Sequence, residues 1–80
     1  MMLKFVINPY DGQARSMVWD CKDKAEIDAH VEYLMSDTTG NTKSVTFSVY
    51  VPHKPSMPAI VQAGADALKL LEWYSLGESK

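Results

Sequence analysis

Eighty residues leave room for a single domain, 1–80, and the lone Cys21 rules out an internal disulfide. An apolar share of 46%, with four Tyr, two Trp and two Phe, is enough for a core, although a chain this short buries only roughly 60% of the surface its unfolded state exposes. No apolar run approaches the ~18 residues of a membrane span, and the start of the chain does not read as a secretory leader, so the expected setting is a reducing cytoplasm with no membrane partner.

The net charge of −2 is unevenly spread. Residues 1–40 carry Lys4, Arg15, Lys22 and Lys24 against seven acids, while the second half is slightly basic. An acidic first half offers little to a phosphate backbone, which is held by clustered Lys and Arg.

The first element is MLKFVI, Met2 to Ile7, in which Leu3, Phe5 and Ile7 alternate with Lys4 and Val6 at the period of a strand. NPYDG follows, with Pro9 suited to a turn and Gly12 to a positive φ, and the return strand runs from Ala14 to Asp20. Two loops are open. If Asp11 and Gly12 alone turn the chain, Phe5 pairs with Val18; if Pro9 to Gly12 turn it, Leu3 does. Both put Val18 with Leu3, Phe5 and Ile7, and both put Met17 and Trp19 on the opposite face with Lys4 and Val6.

A helix is expected from about Asp23 to Ser36, with Asp23 and Glu26 as a capping box. Ile27, Val31 and Leu34, flanked by His30 and Met35, form its buried stripe, while Asp28 and Glu32 face water; Gly40 is its expected terminator. Thr42 to Val51 is the plainest strand, with Val45, Phe47, Val49 and Val51 on an apolar face and Ser44, Thr46, Ser48 and Tyr50 on the other. The VPHKPSMP stretch, Val51 to Pro58, reads as an elbow. Pro52 and Pro55 end the strand, Ser56 or Met57 caps the next helix, and Pro58 falls in its first turn. That helix is expected over Ala59 to Gly77, with Ile60, Gly64, Ala67, Leu71 and Tyr74 along one side and Gly77 as its stop.

The elements strand, strand, helix, strand, helix make an α+β two-layer sandwich, ββαβα, with both helices on one face of a three-stranded sheet. An antiparallel sheet in the order 2-1-3 is favoured because the first strand is the most apolar; 1-2-3 is the alternative.

Chemistry has few places to reside. His53 and Lys54 in the elbow resemble a general base and an anion contact, but no nucleophile or orienting carboxylate stands near them in the sequence. Cys21, His30 and His53 lack the short paired spacings of a zinc site. His30 reads as a half-buried helix residue and Cys21 as a small hydrophobe. Neither a catalytic set nor a metal or cofactor is expected.

The remaining signal is an interface. Val6, Met17, Trp19, Tyr50 and Arg15 are expected on the sheet face away from the helices, a residue mixture common at protein contacts. Leu70 and Trp73, far around the last helix from Ile60, suggest a homodimer contact. The expected function is a small interaction or regulatory module that binds a protein partner or itself. The alternatives are a weak nucleic-acid binder using Lys4, Arg15, Lys43, Trp19 and Tyr50, and an enzyme centred on the 51–58 loop.

Overall fold

A computed structural model describes residues 1–75. The elements are β1 (Met2–Pro9), β2 (Arg15–Asp20), α1 (Lys24–Met35), β3 (Thr42–Val49) and α2 (Met57–Ser75). The sheet is antiparallel in the order β2-β1-β3, giving the expected α+β, ββαβα fold. The central place of β1 follows from its composition. Leu3, Phe5 and Ile7 are all buried, and only a strand flanked on both sides shields such a row so fully.

The chain divides into two compact units, Met1–Ser48 and Val49–Lys80. In the first, β2 and β3 each run opposite to β1, and α1 is the crossover between them. Phe5 and Phe47 meet across the β1/β3 pair with ring centroids 5.8 Å apart. On the other face Asn8 Nδ2 donates to Ser44 Oγ at 3.2 Å. Ile27 of α1 is fully buried, and His30 sets its ring edge against Phe5 at 5.8 Å, so α1 covers the Phe5 face.

The β1/β2 register differs from both expected alternatives. Leu3 stands opposite Trp19, Phe5 opposite Met17 and Ile7 opposite Arg15, while Lys4 pairs with Val18. This lies one residue from either tight-turn register, and a one-residue slip exchanges the faces. Met17 and Trp19 therefore join Leu3, Phe5 and Ile7 on the core face, and Val18 points away, 36% exposed. The cause is the loop. Beyond Ile7 the chain keeps pairing with the start of β3: Tyr10 N donates to Asn41 O at 2.8 Å, Asp11 N to Asn41 Oδ1 at 3.1 Å, and Asn41 Nδ2 to Asp11 O at 2.9 Å. Gly12, at φ 103°, then turns the chain toward β2 without a tight hairpin closing on β1.

Helix α1 has the expected start. Asp23 is extended and its Oδ1 accepts from Glu26 N at 2.9 Å, while Glu26 Oε1 accepts from Lys22 N at 2.9 Å. Its end falls where expected, but Ser36 rather than Gly40 caps it, the Ser36 N–H donating to Glu32 and Tyr33 carbonyls. Gly40, at φ 72°, instead closes a separate turn in which its N–H donates to Asp37 O at 3.2 Å. Met35 is exposed rather than part of the buried stripe.

In the second unit, the elbow after β3 leads to α2. Ser56 is the N-cap: its Oγ accepts from Ala59 N at 3.3 Å and its carbonyl from Ile60 N at 3.0 Å. Pro58 sits in the first turn, where its missing N–H leaves no bond unmade. The expected stop at Gly77 lies outside the described residues.

Candidate functional site

The face expected to carry a docking surface does not assemble. Trp19 lies half-buried in an aromatic cluster, its ring centroid 5.4 Å from Phe5 and 4.2 Å from His30. Rings at such spacings, tilted by 52° and 40°, are in direct contact and stabilise one another beyond the area they bury. Met17 shares this side of the sheet. Val6 is on the other side with Lys4 and Val18, Arg15 is exposed at the end of β2, and Tyr50 follows β3 in the second unit. Val6 shares no face with Met17 and Trp19, because the shifted register separates them.

The first unit has an open cleft at the end of the sheet near Arg15, formed by two adjoining depressions of about 270 and 370 Å³. Arg15, Asp37 and Thr42 line both. The Asp37 carboxylate is occupied: it accepts from Thr39 N at 3.0 Å, Thr39 Oγ1 at 2.7 Å and Thr42 Oγ1 at 3.0 Å. These hydroxyl and amide donors hold its pKa down at about 2. So weak a base suits a turn that joins α1 to β3 better than proton abstraction at neutral pH.

Cys21 is fully buried where β2 ends. Burial pushes its thiol up, with Glu26 adding to the rise, so the nucleophilic thiolate is disfavoured. His53 and Lys54 are both exposed in the elbow. Among the described residues, no three of His, Cys, Asp and Glu gather as metal ligands would, and no helix is long and apolar enough to cross a membrane.

The most unusual surface is α2. Met57 is 70% exposed, Ile60 47%, Val61 66%, Leu68 69% and Leu71 58%. At 3.6 residues per turn these five and Gly64 fall within an arc of about 100°, one unbroken apolar stripe. The half-buried positions, among them Ala59, Ala63, Leu70 and Trp73, occupy the far side of the helix. The side expected to carry Ile60, Gly64, Ala67, Leu71 and Tyr74 is exposed except at Tyr74, while Leu70 and Trp73, expected at a homodimer contact, are half-buried. Since α2 is apolar on both sides, its sequence alone does not distinguish them. The signal available was the length of the apolar circumference itself.

Comparison of the chain with protein-family models, with curated proteins and with solved structures finds no match.

Proposed function

We propose that this protein is a small non-catalytic interaction module whose docking surface is the exposed apolar stripe of α2. The observation that carries the reading is the simultaneous exposure of Met57, Ile60, Val61, Leu68 and Leu71 on one helix side. Contiguous apolar area of this kind marks a contact with another macromolecule, whereas isolated exposed apolar residues are ordinary. A lipid surface fits less well. Interfacial helices carry Lys and Arg along the polar side, and the charged residues described on α2 are Asp66, Lys69 and Glu72.

The other readings have weaker support. A nucleic-acid platform needs an indole free to stack, and Trp19 is engaged by Phe5 and His30. A catalytic role for His53 and Lys54 lacks a partner group in the geometry described for the elbow.

The test is hydroxyl-radical footprinting in the cells that make the protein, set against the purified protein at high dilution. Met57 is the reporter and Met35, also exposed but on α1, is the control. Met57 is expected to be protected several-fold in the cell, with Met35 unchanged. Equal labelling of Met57 in both settings rejects the reading.

A further inference from the structure

Resting on the reading of the α2 stripe as a docking surface, we infer that its occupant is a second copy of this chain, bound antiparallel about a two-fold axis that passes by Gly64. The stripe is its own inverse about that residue. Met57 and Leu71 lie seven positions to either side, Ile60 and Leu68 four, and Val61 and Ala67 three. An isologous contact requires this property, because each position i that meets j must also present j to i. When two such helices are laid antiparallel with their Gly64 positions facing, Ile60 of each copy meets Leu68 of the other, and Met57 meets Leu71.

The centre permits close approach. A Cβ built on Gly64 would meet nothing within 4 Å, so the spot is open on the free chain. A glycine there lets two helix backbones come near the lower end of the ~8–10 Å interaxial range.

Charge supports the same direction. Helix α2 has no acid in its first turn and no base in its last, so neither end of its dipole is compensated from within the helix. Antiparallel pairing sets each amino-terminal end beside the other's carboxyl-terminal end. Glu72, eight positions beyond Gly64, then reaches the level of the second copy's N-cap at Ser56, eight positions before it. Two copies laid parallel would instead align like ends.

The area is also adequate. Five side chains exposed by 47–70% amount to on the order of 500 Å² per copy. The pair thus covers on the order of 1,000 Å², the lower bound for a specific interface and the range of weak, reversible association.

The experiment uses the full chain in sedimentation equilibrium from about 1 μM to about 1 mM, the span in which an interface of that size associates. The molar mass is expected to climb from 9.0 kDa toward twice that value. Gly64→Cys should form a covalent dimer under mild oxidation. Helices of ~2.3 Å Cα radius packed ~8–10 Å apart bring paired Cα atoms to roughly 3.4–5.4 Å, overlapping the ~4.4–6.8 Å a disulfide spans. Gln62→Cys, on the polar side, should not form one.

Leu68→Glu should weaken association by about a hundredfold, since an unpaired charge would be buried at the contact. Leu68 is largely exposed on the free chain, so the variant keeps its helix, as circular dichroism will verify. Adding Ile60→Lys should restore association to within about tenfold by pairing Lys with Glu across the axis; a parallel pair would bring like charges together instead. A dimer that Gly64→Cys does not link, or that the double variant does not restore, overturns the antiparallel arrangement. A monomer throughout the range, with Met57 still protected in cells, overturns the second copy as occupant and leaves the docking surface standing. A monomer with Met57 unprotected removes both, as does protection confined to the membrane fraction.

Discussion

Replacing Trp19 by Ala tests the register on which the fold depends. Truncating a buried Trp to Ala costs about 3–5 kcal/mol in a well-packed core. Trp19 is only half-buried, which lowers the area lost, but it also gives up ring contacts with Phe5 and His30, each worth about 0.5–1.5 kcal/mol. The expected loss is about 3 kcal/mol. Its neighbour Val18 faces the other side at 36% exposure, and Val18→Ala should cost under about 1 kcal/mol. A chain of this size has roughly 4–12 kcal/mol in total. With a urea dependence of about 1 kcal/mol per M, the Trp19 variant should unfold some 3 M earlier, or already be unfolded in water if the parent lies near the bottom of that range. The assay is urea unfolding followed by far-ultraviolet circular dichroism rather than fluorescence, because Trp73 keeps an indole signal in the variant. Should Val18→Ala cost as much as Trp19→Ala, the two faces of β2 are assigned the wrong way round, and the core described above is wrong with them.

Two further outcomes follow from the titrating groups. Because the folded pKa of Asp37 is lowered from 3.8 to about 2, its contribution is present above the ordinary value and is lost as pH falls through about 2; Asp37→Asn should flatten that part of a thermal-midpoint profile recorded between pH 5 and pH 2, and an unchanged slope contradicts the hydrogen-bonded turn. Cys21, buried and held toward the neutral thiol, should resist a thiol-specific reagent in native buffer and react at once in urea, so rapid native labelling would show that the end of β2 is open.

The class, the strand order and most helix limits were legible because they depend on patterns within one segment. Alternation in β1 marks it as the central strand, and Asp23 with Glu26 marks where α1 starts. What was not legible depends on how segments meet. The faces of β2 follow from whether the loop after β1 shifts pairing by an odd or an even number, and that was decided by Asn41, thirty residues away from Asp11 in sequence. Neither tight-turn alternative contains this cross-link, so both placed Trp19 on the wrong face. Helix α2 failed for a different reason. Small residues run along both sides of the helix, Ala59 and Ala63 on one and Gly64 and Ala67 on the other, so residue size does not tell which side is exposed. The interface candidates rested on both patterns.

Every fully buried side chain among the described residues, Phe5, Leu3, Ile27 and Cys21, belongs to the first 48 residues. Cohesion among the described residues is thus lopsided: one portion carries its own dry interior, and the other holds a nineteen-residue helix with no fully buried side chain among those described. Segments poor in buried apolar groups open at low free-energy cost, so on the proposal that a second copy docks on α2, that copy would do more than recognise the helix. It would supply the missing interior, and the lifetime of the helix would be tied to how much of the second copy is at hand.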